Sequence, residues 1–484
     1  MAKENGGVIG VLNTPTATTA SGVWALQDQY EAKRNGNWPR PPFVSSNSLR
    51  FNPGSSDYLN RTSSSSPTNN KIATFSGWVK RSSLGSALNV DIFDQYTDGQ
   101  NYAQIMFYQD NILIFQRDST SNNIQLVTTQ VFRDVSAWYH IVVAYDTTQA
   151  TASNRVKLYV NGSQVTSFST ETYPSQNLAL RLNSSSLPLY IGTYSAGNYY
   201  DGYMSEFNFI DGQALTPSSF GASNASGVWY PIPYAGSYGT NGFNLKFTNA
   251  SSLGTDSSPN GNNFTVNNLT SVDQSTDSTL NNFCTINPLD VAPSQTFTDG
   301  NLTCSYGATN VSNRSSFALD TGKWYWEMKV TSISGGGLLT GVTDSTQSLS
   351  TWVGATTYSY GYYSTNGQKY NNNSGSAYGN SYTNNDIIGI AFDATNGKIY
   401  FSKNGTFQNS GNPATDTNPA FTGLTGRLFF PATSGYSGDA ISYNFGSPAY
   451  SANSYADGAG YGNFSYAVPS GYYALCTANL NTYG

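Results

Sequence analysis

The chain has 484 residues, a formal net charge of −6 and only 10% charged residues, alongside 36 Tyr, 25 Phe and 8 Trp. That length exceeds one hydrophobic core and predicts two or three domains, while the aromatic content argues against a disordered chain. No basic block is present and no apolar run reaches membrane-spanning length, which argues against nucleic-acid partners and membrane insertion.

Residues 1–44 read as a separate anchoring or docking segment. A short helix is expected over 23–34, with Ser21 as N-cap, ended by the Pro39 and Pro41-Pro42 region. So small a piece buries no core of its own. Trp24, Tyr30 and Trp38 are its candidate anchors onto another protein, the alternative being packing on its own neighbour domain.

Residues 45–221 carry regularly spaced strand patterns, among them Ile72–Lys80, Trp138–Asp146 and Arg155–Val160. In the last, Val156, Leu158 and Val160 alternate with Arg155, Lys157 and Tyr159, the pattern of a sheet with one solvated face. Asn161-Gly162 closes it with the strongest local hairpin signal. Residues 222–283 read as a connector: Phe243–Phe247 is one strand and the Ser/Asn/Asp-rich remainder is loop-like. Residues 284–484 form a second strand-rich unit, with Trp324–Val330, Ile387–Phe392 and Lys398–Ser402 followed by Asn404-Gly405. It is framed by Cys284-Thr285-Ile286-Asn287 and Cys476-Thr477-Ala478-Asn479, which predicts that its two ends lie side by side. The stretch 355–384 shows no clear strands and has the Tyr/Asn/Ser/Gly composition of a binding loop. The fold class is therefore all-β, two β-sandwiches preceded by a short anchor.

Chemistry-bearing residues are few. His140 is the single histidine and sits mid-strand, as a hydrogen-bonded core residue does; Cys284, Cys304 and Cys476 form neither a disulfide framework nor a metal knuckle. Asp91, Asp94 and Asp98 fall in a loop-prone stretch; calcium takes several carboxylate and carbonyl oxygens, so they are the candidate metal ligands, against solvated turn aspartates. Glycoside hydrolysis needs two facing carboxylates, and no two glutamates share a strand, so no enzyme and no other cofactor is expected. Tyrosine gives large contact area at low entropic cost and stacks on sugars. The candidate ligand-binding residues are therefore Tyr194, Tyr199 and Tyr200 in the first unit and Tyr360, Tyr362, Tyr363 and Tyr370 in the second.

Residues 75–80, 138–146, 156–162, 189–192 and 203–207 together resemble the laminin-G and concanavalin-A-like jelly-roll lectins. That resemblance implies glycan or protein binding, with calcium at the sandwich rim. Residues 322–330, 386–393, 397–405, 428–432 and 441–446 resemble a SPRY domain, a non-catalytic protein-recognition sandwich. The whole arrangement resembles virion structural proteins of tailed bacteriophages, particularly marine and cyanobacterial ones. It implies a tail-fibre or receptor-binding protein adhering to a host-surface glycan or protein, held to other virion proteins by residues 1–44. The alternatives are a capsid decoration or head-fibre protein and, behind it, a glycan depolymerase. A homo-oligomer, with a trimer by analogy to phage fibres, and a virion location after folding in a host cytoplasm complete the expectation. The N-terminus shows no apolar signal-peptide segment, in keeping with release by lysis.

Overall fold

The computed structural model describes residues 15–16, 20, 26–34, 46–85, 88–195, 197–224 and 226–484. Within the first 44 residues it shows one helix, Leu26–Arg34. Trp24 and Trp38 lie outside the described residues, as does the side chain of Tyr30, so the docking expectation is left where the sequence put it.

The first sandwich consists of two antiparallel sheets of eight strands. One is ordered 163–164, 156–160, 139–146, 72–81, 202–211, 48–51 and 274–275, with 243–245 also pairing along 202–211. The other is ordered 168–172, 121–128, 111–118, 101–108, 89–98, 188–191, 58–62 and 265–267. Phe75, Phe93, Phe207 and Phe209 pack between the sheets with Ile105, Ile114 and Leu158, all essentially unexposed. Asn161 and Gly162 take φ of 48° and 82°, the doubly positive turn that matches strand twist and favours Asn-Gly. Asn404-Gly405 repeats it in the second sandwich at 49° and 81°.

The segment 222–283, expected as a connector, runs back along this sandwich. Phe243–Leu245, Thr265–Asn267 and Gln274–Ser275 each pair with one of its strands. Phe243, Leu245, Phe247, Leu253 and Phe264 enter its core. Isolated apolar residues in a polar run, too sparse for a periodic signal, are enough when they cover edges that would otherwise expose unpaired backbone.

The second sandwich pairs a seven-stranded sheet (286–291, 311–315, 430–435, 339–343, 359–363, 368–371, 374–377) with an eight-stranded one built on 323–332, 387–393, 398–403 and 440–444. The stretch 355–384 is not strandless. It holds three of those strands, the last two joined by Asn372-Asn373 at φ 49° and 59°. Its ends do lie side by side: Cys284 N donates to Leu475 O at 2.9 Å and Asn282 N to Thr477 Oγ1 at 3.0 Å. The three cysteines are buried and unpaired with one another.

The two sandwiches meet across a polar seam. Buried Arg50 donates to Val272 O and Pro448 O, Tyr203 OH to Gly300 O and Asn301 Nδ2 to Ser82 O. Lys80 and Asp277 form a buried ion pair at 2.8 Å, and the Trp138 indole donates to the same carboxylate at 3.1 Å. His140 is fully buried and stacked on Trp78. Trp229 Nε1 donates to its Nδ1 at 3.0 Å, and an indole only donates, so Nε2 carries the proton and faces Ser76 Oγ at 2.9 Å. Burial holds its pKa down at about 3, which leaves a neutral core histidine.

Candidate functional site

A hollow of about 590 Å³ lies on the outer face of the sheet containing 101–108. Strand alternation builds it. Ala103, Ile105 and Phe107 point into the core, so Tyr102, Gln104, Met106 and Tyr108 point out. Residues directly opposite one another share a face. Register therefore lines Met106 up with Leu113 and Val127, and Gln104 with Phe115 and Gln125. Met106, Leu113, Phe115 and Val127 form an apolar floor, on which Tyr102 stacks against Phe115 at 5.2 Å. Ser169 and Thr170 make one wall. Tyr194 and Asn198, with the Tyr194 and Gly197 backbones joined by paired bonds of 2.8 Å, make the other. Amides from Asn89, Gln104, Gln109, Asn111, Gln125 and Asn198 ring the floor, and no charged side chain is among the lining residues.

Asp91 and Asp94 lie on 89–98, the strand between 101–108 and 188–191, and do not line the hollow. They are three apart and would face opposite ways on a regular strand, but the register slips between Asp91 and Phe93. That bulge sets Asp91 opposite Met106 and Asp94 opposite Gln104, both on the hollow's side of the sheet. Neither exposes any surface. Gln104 Nε2 donates to Asp91 Oδ1 at 2.7 Å; Asp91 Oδ2 and both oxygens of Asp94 have no partner. Burial pushes both carboxyls well above the usual carboxylate range, and the Asp91 charge pushes Asp94 further. Asp98, the third expected ligand, does not join them. It sits exposed at the hairpin end, accepting from Gln100 N and Asn101 Nδ2, so a three-aspartate site is not formed. Among the described residues no cluster of three acidic, histidine or cysteine ligands occurs.

The expected tyrosines separate by alternation. Tyr194 packs edge-on to Tyr96 and Tyr102 at the hollow. Tyr199 lies beside Tyr58, ring centroids 6.3 Å apart, and is not among the residues lining the hollow. Tyr200 is no ligand contact: it is wholly buried against Phe51 and donates to Lys80 O at 3.1 Å. Tyr362 is likewise a core residue, packed on Tyr378, Tyr382 and Phe401 with its hydroxyl on Asn380 O. Tyr360 packs on Phe421 and Phe429. Tyr363 and Tyr370 do reach a surface hollow, about 220 Å³, shared with Trp352 and Tyr436. Their hydroxyls are tied to Gly336 O and Gln368 Oε1, so they present rings rather than polar groups. Tyr102, Gln104 and Phe115 were missed by sequence reasoning, although the alternation of 101–108 carried the signal.

Residues 53–219 match the family model of the concanavalin A-like lectin/glucanases superfamily, and residues 323–448 match that of the SPRY domain. The chain thus carries a lectin-like sandwich and a SPRY sandwich. Among solved structures it is similar to the SPRY domain of human HERC1, at 18% identity over 33% of this chain and 96% of that one, TM-score 0.28. It is also similar to the TRIM65 PSpry domain, at 14% identity over 33% of this chain and 91% of that one, TM-score 0.27. Stonustoxin is similar at 17% identity, over 33% of this chain and 27% of its own, TM-score 0.27. No curated protein matches the chain.

Proposed function

We propose that the protein is a non-enzymatic glycan-binding protein whose first sandwich holds an uncharged oligosaccharide in the Tyr102–Tyr194 hollow. The lining carries the argument. Aromatic and apolar side chains form a floor for a sugar face, and six neutral amides ring it with donors and acceptors for hydroxyls. The absence of charge among the lining residues favours a neutral sugar over a charged glycan or a peptide terminus. Hydrolysis gains no support: no carboxylate lines the hollow, and the Asp91 and Asp94 oxygens are sealed behind its wall.

The setting we propose is a tailed-phage virion surface, as a tail-fibre or receptor-binding protein rather than a capsid decoration protein. That part rests on the sequence resemblance, with several copies per particle giving avidity to individually weak contacts. In the second sandwich, the Trp352, Tyr363 and Tyr370 rings suit protein contact.

A glycan array probed with the full chain, wild type against Y102A and Q104A, tests the central reading. Selective capture of neutral glycans, reduced tenfold or more in both variants, is expected. Capture that is unchanged in both, or that follows glycan charge, overturns it.

A further inference from the structure

We infer that the hollow of the second sandwich, walled by Trp352, Tyr363, Tyr370 and Tyr436, is a binding site for a trimethylammonium group. Small residues bring the rings together. Ala432, Gly341, Gly361 and Tyr370 lie side by side on four neighbouring strands. The first three clear a track across the outer face of the sheet, and the backbone at Val353 lies in it: a Cβ on Gly361 would come within 2.7 Å of Val353 O. That carries Trp352 to Tyr370, ring centroids 5.4 Å apart and planes at 86°. Tyr363 meets Tyr370 at 5.8 Å and 88°. Tyr436 lies flat on Gly336, where any Cβ would overlap its ring. The walls are thus held by packing, with neighbouring rings near right angles.

Shape, polarity and charge all favour the same group. A sugar or an aromatic ring stacks on one flat face, whereas perpendicular walls close round a compact rounded one. About 220 Å³ is less than the roughly 300–1,000 Å³ of ordinary small-molecule sites, so the hollow takes a headgroup rather than an oligosaccharide. With the Tyr363 and Tyr370 hydroxyls tied to Gly336 O and Gln368 Oε1, only Asn310 among the lining residues offers an amide. A primary ammonium or a hydroxyl-rich ligand would give up its water there without replacement. A trimethylammonium group makes no hydrogen bonds and is drawn to ring faces. No Lys or Arg lines the hollow. Behind it, buried Asp439 accepts from Tyr436 N at 2.9 Å and is ion-paired to no Lys or Arg among the described residues. Other rings of this sandwich already hold a protein cation: Arg427 lies over Tyr358 at 3.4 Å, Lys329 over Tyr450 and Lys369 over Phe421, each at 5.0 Å. Among the described residues none lies over these four.

The inference goes beyond the contact reading given for these rings and is independent of the sugar reading, because its test contains no glycan. The full chain is titrated in a calorimeter with choline, with Nε-trimethyl-lysine and with dimethylbutanol, the uncharged carbon isostere of choline. One site per chain for at least one of the two cations is expected, with dimethylbutanol about tenfold weaker or silent. W352L, which keeps an apolar side chain without the ring face, should bind about tenfold more weakly at an unchanged urea midpoint. Tighter choline assigns a choline headgroup and tighter trimethyl-lysine a methylated protein side chain; either supports the site. Three results overturn it: no heat from either cation, dimethylbutanol binding as tightly as choline, or a folded W352L that binds like wild type. Should W352L fail to fold, the choline and dimethylbutanol comparison on wild type decides alone.

Discussion

Each sandwich buries acid on a strand, and the two burials are opposites. In the second, Glu327 is unexposed and fully served: Ser465 N and Tyr466 N donate to it at 2.9 Å, Asn444 Nδ2 at 3.1 Å and Tyr325 OH at 3.2 Å. In the first, Asp94 is equally unexposed and has nothing. Burial raises the pKa of both, but for Glu327 the two backbone donors pull it back, whereas for Asp94 the neighbouring Asp91 pushes it further. Glu327 is a structural clamp that fastens 463–466 onto the 323–332 strand. Asp94 has no such backbone donors, so its burial is a cost to the fold rather than a fastening.

The comparison is sharpened first at His140, a buried group satisfied only when neutral. Its folded pKa, about 3, lies below the unfolded value near 6.5, so its share of stability is whole above pH ~6.5 and is lost as pH falls toward 3. The loss amounts to up to about 4 kcal/mol. Urea midpoints between pH 7 and 4 should fall less steeply in H140Q than in wild type; equal slopes would break the assignment. Next is E327A, which strands four donors and should cost about 3 kcal/mol or more in urea unfolding. A smaller and opposite effect is expected at Asp94: D94N should gain about 1 kcal/mol in urea unfolding at pH 8 and above, because it removes a buried carboxyl whose ionised form burial and Asp91 disfavour. Smallest is D98N, whose exposed turn contacts predict a change within about 0.5 kcal/mol in urea unfolding.

Much of the strand framework was legible. Alternation and the two Asn-Gly turns placed 139–146, 156–160, 387–393 and 398–403, because those segments carry their own turn chemistry and apolar density. The strands at 359–377 escaped because Tyr, Asn, Ser and Gly serve loops and edge strands alike; the Asn372-Asn373 turn was the available clue. Alternation within 359–363 also separates core Tyr362 from outward Tyr363, so tyrosine density was the wrong guide and parity the right one. The hollow itself was not legible. Its floor comes from three strands whose stacking order only the assembled sheet fixes. The reach of 243–275 into the first core was hidden for a similar reason, since its partners lie up to some two hundred positions away.

Hydrogen exchange on the full chain, with and without the neutral glycan it captures best, tests the central claim most directly. Protection concentrated in 101–108, 111–118 and at Tyr194 is the predicted result. Protection confined to 339–370, with 101–118 unchanged, would move ligand recognition to the SPRY sandwich and contradict the account.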